Sequence, residues 1–451
     1  MQGFFSRLLA ATGLAAALAA TGCTLVDTTP INFVTPAPTA PSAPYIPDRG
    51  DDGTTVLALS FSGGGTRAAA LAYGVLLELD SLVVDEHPYR RTLLDNIRSV
   101  AGTSGGAVAA AYLGYKGKDG YQDFRERFLY RNAESYMVTH AFPNAVAKAA
   151  LAGGANDRNS FARWLDDNLF DQATFAAFRK PGRPIVWITA SDIYNNTPFL
   201  FTRDTFAALC SDLDRTKIAE AVGASAAVPI AFTPMVLRKP DVDCGYRRPD
   251  WLQRAIDSEN PSVRLQAYAR ALDSYQSDRK LGFVRLLDGG LTDNLGITGL
   301  TLERAAAAEP YMPLSPRQAV RLRNFLFIVT DAGRYMPPEW GESRSPPHLG
   351  KILAAAAQTA LSSATRSGFD AVDLALAQWQ ETLGRYRCGL SRQEVRRLRG
   401  TMTLPRAEVA LAIEAGRQAI RNTANVRKVA RETRKDARLF DAAELPLAAQ
   451  Q

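Results

Sequence analysis

The sequence predicts an α/β protein whose mostly parallel sheet is covered by helices on both faces. Two short apolar segments, residues 55–61 and 97–101, each end in a glycine-rich turn that leads into a helical pattern. Three more apolar segments of strand length follow at residues 184–190, 283–287 and 325–330. Strands of a parallel sheet are buried on both faces and are therefore apolar throughout. Such strands, separated by helices, predict the α/β class.

The composition is that of a soluble globular protein. The chain has 451 residues, of which 46% are hydrophobic and 22% charged, so bulk disorder is excluded and one large domain can form. The net charge of +7 is concentrated in residues 385–438, where fifteen Arg and Lys face five Asp and Glu. Such a segment could contact anionic lipid headgroups or nucleic acid, or form a solvated helical face. We favour the solvated face and predict no nucleic-acid partner.

The N-terminus has the form of a signal peptide. A single cation, Arg7, precedes an apolar run over residues 8–20 that is too short to span a bilayer. The run ends in Ala-Ala-Thr-Gly-Cys at Cys23, which resembles the lipobox of bacterial lipoproteins, where the cysteine is lipidated. Thr24 follows instead of Asp, so the resemblance implies an anchor in the outer membrane that faces the periplasm. The alternative is ordinary secretion with Cys23 buried.

The segment after Cys23 is rich in proline and small residues, which favours an extended tether over a packed core. Beyond the last predicted strand the pattern is almost wholly helical. The sequence thus predicts four parts: a signal peptide over residues 1–23, a tether over 24–54, a main domain over 55–335 and a helical region over 336–451.

Three cysteines remain in the rest of the chain, Cys210, Cys244 and Cys388. In an oxidising periplasm one pair could form a disulfide, and Cys210 and Cys244 are nearest in sequence. The spacing of the cysteines matches no zinc pattern, and the chain has only three histidines. We therefore predict no metal and no cofactor.

The strongest chemical motif is Gly-Thr-Ser-Gly-Gly at residues 102–106, directly after a predicted strand. Glycines on both sides of a serine permit the sharp strand-to-helix turn that exposes a nucleophilic hydroxyl above the edge of a sheet. The helix that follows directs free N–H groups toward the same point. Ser104 is therefore the candidate nucleophile.

A second glycine turn, Gly-Gly-Gly-Thr-Arg at residues 63–67, follows the first predicted strand. Consecutive glycines leave backbone N–H groups unshielded, so they can converge on a developing oxyanion, with Arg67 adding positive charge nearby. The alternatives are a dinucleotide or phosphate loop, which would need an acidic residue closing a second strand, and a plain structural turn.

An aspartate, Asp288, ends the predicted strand at residues 283–287 and is followed by Gly289 and Gly290. Taken alone, an aspartate at this position is a common turn signal. A functional role for Asp288 is favoured because the Asp-Gly-Gly turn is the third glycine-containing turn that follows a predicted strand, after those at residues 63–67 and 102–106.

Together the three motifs resemble those of the patatin-like phospholipases, with two softer blocks at residues 190–193 and 221–229, over about residues 55–331. The resemblance implies a three-layer α/β/α fold and metal-free hydrolysis of phospholipids, lysophospholipids or other acyl esters. One departure is Ala68, where many members have glycine. The roles implied are Ser104 as nucleophile, Asp288 as general base, and an oxyanion-binding loop of Gly63, Gly64, Gly65 and Arg67 in which Gly64 and Gly65 are the amide donors.

Two other functions remain open from the sequence. Ser104, Asp288 and His348 follow the chain order of a Ser-Asp-His triad in α/β-hydrolases, which would make the protein a histidine-dependent esterase. The chain could also be a non-catalytic envelope lipoprotein that binds lipid or a protein partner, because a fold does not guarantee activity. The sequence does not indicate the lipid headgroup or the oligomeric state.

Overall fold

The computed structural model does not describe every residue. Cys23 and the whole predicted signal peptide, His348 and Cys388 lie outside the described part. The described residues are 26–36, 51–87, 89–137, 153–241, 243–259, 262–333, 344–347, 349–386, 406–424 and 426–434.

Seven of the strands in the described residues form one mixed sheet, in the order β11-β1-β4-β6-β10-β9 with β7 paired to β6. The other strands form two small two-stranded sheets, β2 with β3 and β5 with β8. The strands are β1 (Thr55–Phe61), β2 (Val83–Asp85), β3 (Arg91–Thr92), β4 (Ile97–Thr103), β5 (Gly154–Asn156), β6 (Ile185–Asp192), β7 (Thr197–Leu200), β8 (Ile230–Phe232), β9 (Met235–Arg238), β10 (Phe283–Leu287) and β11 (Asn324–Thr330).

Strand direction changes across the sheet. β11, β1, β4 and β6 run parallel to one another, as the sequence predicted. β10 is antiparallel to β6, with Leu286 opposite Asp192 and Leu287 opposite Ser191. Because β10 runs in the opposite direction, the residue after Leu287 continues alongside β6 toward Thr189, which is paired with Thr103 of β4.

Helices cover both faces of this sheet. Short 3-10 and π turns connect several of them between β4 and α5. The helices are α1 (Gly65–Ser81), α2 (Gly105–Lys116), α3 (Phe161–Leu165), α4 (Arg203–Ala208), α5 (Ile218–Ser225), α6 (Asp250–Asp257), α7 (Val263–Ser277), α8 (Gly290–Asp293), α9 (Thr298–Ala306), α10 (Pro316–Arg321), α11 (Leu349–Tyr386) and α12 (Arg406–Asn422).

Alternate residues of a strand point to opposite faces, so a central strand feeds two cores. In β1, Leu57, Leu59 and Phe61 pack into the core formed with α1, α2, α3 and α5. Val56 and Ala58 pack into the second core, on the other face. Every residue of β1 is buried, which explains why the segment is apolar without alternation. The predicted three-layer α/β/α fold is confirmed.

The second core depends on the C-terminal helical region. Val372, Leu376 and Trp379 of α11 are buried together with apolar residues of β11 and α9. The indole ring of Trp379 lies edge-on to the ring of Phe325, with their centroids 4.8 Å apart. The predicted helical region is therefore present, and α11 belongs to one of the two helical layers.

The other C-terminal helix, α12, lies against α1 at backbone contact distance. A methyl group added to Gly74 of α1 would lie 2.0 Å from the Ile413 carbonyl oxygen, and one added to Gly416 would lie 2.3 Å from the Leu71 carbonyl oxygen. The buried Glu78 carboxylate pairs with Nε of Arg417 at 3.2 Å and Nε of Arg421 at 2.9 Å. Part of the basic C-terminal segment thus neutralises an internal charge.

The beginning of the predicted tether is packed against the domain, which corrects the expectation of an extended tether from residue 24. Ile31 is buried, and its N–H donates to the Val236 carbonyl oxygen at 2.9 Å. The Asn32 side chain donates to the Ser211 hydroxyl and is itself buried. Ile31 and Asn32 make these contacts, and the proline-rich composition of the segment gave no indication of them.

Cys210 and Cys244 form a disulfide, with their Cα atoms 5.7 Å apart. The N-terminal segment continues onto the same loop, because Thr35 N–H donates to the Cys210 carbonyl oxygen at 2.8 Å. Within the described residues, no helix has the length and apolar character needed to cross a bilayer.

Replacing Gly416 by alanine should weaken the α12–α1 contact. The added methyl group has no room beside Leu71, so we expect a loss of about 1–3 kcal/mol in the free energy of unfolding. Denaturant unfolding measures this loss. Gln418→Ala on the exposed side of α12 is the matched control, and equal stability of the two variants would contradict the close contact.

Candidate active site

Ser104 lies between the end of β4 and the first residue of α2, where the chain turns sharply. Its backbone has φ of 52° and ψ of −122°, a conformation that costs a non-glycine residue about 1–3 kcal/mol. The turn is tight enough that a methyl group on Gly106 would lie 2.3 Å from the Phe61 carbonyl oxygen. The predicted strand, serine and helix arrangement is therefore present, with Ser104 at the carboxyl edge of the parallel strands.

The strained turn is held by Ser225, the last residue of α5. Ser104 N–H donates to the Ser225 hydroxyl at 2.8 Å, and that hydroxyl donates to the Thr189 carbonyl oxygen at 2.6 Å. The Ser225 carbonyl oxygen accepts from Gly289 N–H at 3.0 Å. One residue therefore ties Ser104 to the loop that carries Asp288. In the sequence Ser225 lies within the softer block at residues 221–229, and nothing in that block indicates this role.

Asp288 lies beside Ser104 because β10 is antiparallel and continues alongside β6. Its own N–H donates to the Ala227 carbonyl oxygen at 2.8 Å, and its carbonyl oxygen accepts from the Ser191 hydroxyl at 2.8 Å. The carboxylate accepts from Gly290 N–H at 2.8 Å and is within hydrogen-bonding reach of the Ser104 side chain. The two side chains singled out in the sequence are thus brought together.

The environment of Asp288 changes its acidity. Burial raises the pKa of Asp288 from its ordinary value of 3.8 to about 6, because a desolvated carboxylate resists ionisation. The hydrogen bonds from Gly290 N–H and the Ser104 side chain oppose this rise in pKa. The carboxylate is therefore ionised at neutral pH and a stronger base than a solvated aspartate.

The glycine turn at residues 63–65 leads into α1 and touches the Ser104 turn. A methyl group on Gly105 would lie 2.0 Å from the Gly65 carbonyl oxygen, so the starts of α1 and α2 are in backbone contact. The N–H groups in the first turn of a helix have no acceptor within the helix. Gly64, with φ of 137°, adopts a backbone conformation that other residues rarely reach.

The backbone N–H of Gly63, the first glycine of the predicted oxyanion-binding loop, has a partner from a distant segment. Gly63 N–H donates to the Asn294 carbonyl oxygen at 2.9 Å, so it is engaged within the protein. The partner comes from the loop after Asp288, a contact that spacing in the sequence could not reveal. The N–H groups of Gly64 and Gly65 remain the candidate donors.

Arg67 and Ala68 shape the glycine turn from behind. The Arg67 guanidinium donates to the Ala332 carbonyl oxygen at 3.1 Å, which ties α1 to the segment after β11. Ala68 is buried in a small apolar cluster with Leu71 and Ala332. A methyl group on Gly64 would lie 3.3 Å from Ala68 Cβ, so the alanine fills the space behind the turn.

This geometry is suited to acyl transfer. A serine hydroxyl, a buried carboxylate and two helix N-termini meet at the carboxyl edge of the sheet, where N–H groups are free to donate to a carbonyl oxygen. Among the described residues, no group of three or more His, Cys, Asp and Glu side chains is placed to hold a metal ion. Cys23 and His348 lie outside the described residues.

Comparison with known proteins gives one family. The sequence model of patatin-like phospholipases matches residues 59–301. Human GIVD cytosolic phospholipase A2 is similar with a TM-score of 0.33 and 14% identity, over 62% of this chain and 46% of that chain. The ExoU–SpcU complex from the type III secretion system of Pseudomonas aeruginosa is similar with a TM-score of 0.23 and 15% identity, over 72% of this chain and 52% of that chain. This chain thus spans about half the length of those solved chains, and no curated protein sequence matches it.

Removing the Ser225 hydroxyl should disturb the Ser104 turn. Ser225→Ala leaves Ser104 N–H without an acceptor in a buried site, at a cost of about 1–3 kcal/mol. We expect labelling of Ser104 by a fluorophosphonate to slow about tenfold or more, since 1.4 kcal/mol corresponds to a factor of ten. The labelling rate measures this effect.

Ser99→Ala is the control, because the buried Ser99 hydroxyl of β4 has no hydrogen-bond partner within the described residues. Labelling of Ser225→Ala at the rate of Ser99→Ala would argue against the positioning role.

The rate of the same labelling reaction should depend on pH through Asp288. The base is active when ionised, so the rate should level off above about pH 7, be half-maximal near pH 6 and fall about tenfold per unit at lower pH. Asp288→Asn should abolish this dependence along with most of the rate. A wild-type rate that stays constant down to pH 4 would refute the raised pKa or the role of Asp288 as base.

Proposed function

Because the chain belongs to the patatin-like phospholipase family, we propose that it is a lipid acyl hydrolase with Ser104 as nucleophile and Asp288 as general base. The observation that carries the proposal is the buried Asp288 carboxylate within hydrogen-bonding reach of Ser104, at the point where α1 and α2 begin. No histidine is required by this arrangement.

The proposed reaction has two halves. Asp288 accepts the Ser104 proton as Ser104 Oγ attacks the ester carbonyl carbon, and the carbonyl oxygen becomes an oxyanion facing Gly64 and Gly65 N–H. The tetrahedral intermediate collapses, the C–O bond to the alcohol breaks, and protonated Asp288 returns the proton to the leaving alcohol. Water then attacks the acyl-serine carbonyl carbon while Asp288 accepts a proton from it. As the bond from that carbon to Ser104 Oγ breaks, Asp288 passes the proton to Ser104 Oγ, and the fatty acid leaves.

A lone aspartate can serve as base here because of its surroundings. In water a carboxylate with its ordinary pKa of 3.8 would be a poor acceptor for an alcohol proton. Burial raises the pKa of Asp288 to about 6, which narrows the difference in pKa between the carboxyl group and the serine hydroxyl. The remaining difference is overcome because the proton moves to Asp288 as the bond from Ser104 Oγ to the ester carbon forms. The strained Ser104 backbone holds its hydroxyl ready, so little reorganisation is needed in the transition state.

The substrates we propose are phospholipids or lysophospholipids, with other acyl esters as the wider class, because family membership supports lipid esters. Two helix N-termini at the site favour negative charge where the oxyanion develops. That preference acts on the transition state and does not select a headgroup.

We also propose that the protein is anchored to the bacterial envelope through lipidated Cys23, in the outer membrane facing the periplasm. The Cys210–Cys244 disulfide fits an oxidising compartment. Asp27 N–H donates to the Asp157 carboxylate at 3.0 Å, so the chain is bound to the domain four residues after Cys23. At about 3.5 Å per extended residue, the anchor would keep this face of the domain within about 15 Å of the bilayer.

The proposal is tested with the protein lacking residues 1–23 and a panel of lipids. Fatty-acid release from phospholipid, lysophospholipid, triacylglycerol and a water-soluble ester is measured by mass spectrometry. We expect release from lipid, with Ser104→Ala and Asp288→Asn each losing about 10³-fold or more of the activity.

Each alternative predicts a distinct result. Release confined to water-soluble esters would count against a membrane lipid as substrate. Loss of activity in His348→Ala together with an active Asp288→Asn would favour the histidine-dependent esterase. A wild-type protein that neither hydrolyses these esters nor reacts with a fluorophosphonate would favour the non-catalytic lipoprotein.

A further inference from the structure

The long helix α11 contacts the loop after Asp288 through a buried hydrogen bond. Asn294 Nδ2 donates to Thr365 Oγ1 at 2.8 Å, and both side chains are buried. The Thr365 hydroxyl in turn donates to the Leu361 carbonyl oxygen of its own helix at 2.9 Å. Thr365 lies outside residues 59–301, the part of the chain that matches the family.

Asn294 lies between the glycine turn that contains Gly63 and the residues that follow Asp288. Its backbone carbonyl oxygen accepts at 2.9 Å from the N–H of Gly63. Gly63 belongs to the glycine turn at residues 63–65, called the oxyanion turn from here on. A methyl group added to Gly63 would lie 2.6 Å from Asn294 Oδ1, and one added to Gly290 would lie 3.0 Å from it. The Asn294 side-chain oxygen therefore lies between the oxyanion turn and residues 288–290, which we call the Asp288 loop.

Thr365 determines which way the Asn294 carboxamide points. A threonine hydroxyl has one proton and two lone pairs, and here the proton is committed to the Leu361 carbonyl oxygen. The hydroxyl can therefore only accept from Asn294, which selects the NH₂ end of the carboxamide. The oxygen end is left to face Gly63 and Gly290.

We propose that Thr365 is a positioning residue that sets the separation of the oxyanion turn and the Asp288 loop through Asn294. The inference rests on the proposed function and extends it to α11. Within the described residues, the side-chain hydrogen bonds of Thr365 run to Asn294 and Leu361 and to neither Ser104 nor Asp288, so the loss of Thr365 should act on the alignment of the reacting atoms through Asn294. Alignment errors of this kind reduce turnover more than they reduce substrate binding.

The test compares three variants of the protein lacking residues 1–23. Thr365→Val keeps the shape of the side chain and removes the acceptor, and Thr365→Ser restores the acceptor without the methyl group. Thr359→Val is the matched control, because the exposed Thr359 hydroxyl makes the same bond to the carbonyl four residues back on the same helix. We expect kcat of Thr365→Val to fall about tenfold or more with KM within about twofold, and Thr365→Ser and Thr359→Val to resemble wild type.

Hydrogen exchange adds a measurement that does not need activity. Amide exchange in residues 288–297 should accelerate in Thr365→Val and not in Thr359→Val. In a double-mutant cycle, Thr365→Val should have little further effect on kcat once Asn294 is alanine, since the two residues act as one unit.

Several results would overturn the proposal. These are a kcat of Thr365→Val within twofold of Thr359→Val, unchanged exchange at residues 288–297, and a Thr365→Ser variant as slow as Thr365→Val, which would assign the effect to packing of the methyl group. A wild-type protein without hydrolase activity would refute the proposed function and with it the effect on catalysis. Exchange at residues 288–297 would in that case still decide whether Thr365 braces the loop.

Discussion

The site depends on burying an ionisable carboxylate, that of Asp288, beside Ser104. The hydrogen bonds that favour the charged form of Asp288 come from Gly290 N–H and the Ser104 side chain. The carboxylate keeps its raised pKa only while it is shielded from water and held beside Ser104, so the protein must fix the Asp288 backbone. Bonds from Asp288 N–H to Ala227 and from Ser191 to the Asp288 carbonyl oxygen do this, and β10 must run antiparallel to bring them about.

Parts of the chain that follow the family match complete this arrangement. On one face of the sheet, α11 closes the second core with Trp379 and reaches the Asp288 loop through Thr365. On the other, α12 lies against α1, whose first residues form the oxyanion turn, and pairs two arginines with Glu78. A buried glutamate deprived of these partners would be costly, so α12 and α1 stabilise each other. The structural unit that holds the site therefore extends past the region that carries the motifs.

The sequence was informative where local geometry dictates residue type. Strand apolarity and flanking glycines predicted β1, β4, the Ser104 turn and the position of Asp288. It was uninformative where the partner is remote, because an apolar strand has the same composition in either direction, which hid the antiparallel course of β10. Three contacts join segments that are distant in the sequence: the bond from Gly63 N–H to Asn294, the bond from Ser104 N–H to Ser225, and the bond from Asn294 to Thr365. A serine or threonine within a helical pattern does not reveal such a contact in the sequence.

The packed N-terminal segment bears on how the protein should be handled. Deleting residues up to the first strand, a common choice for producing a soluble enzyme, would remove Ile31 and Asn32 from the domain surface. The Val236 carbonyl oxygen would lose its donor, the Ser211 hydroxyl would lose a partner, and apolar surface beside the disulfide loop would meet water. Truncation is better placed before Val26, and a purification tag is better placed away from this end, where it would compete with a segment that belongs to the fold.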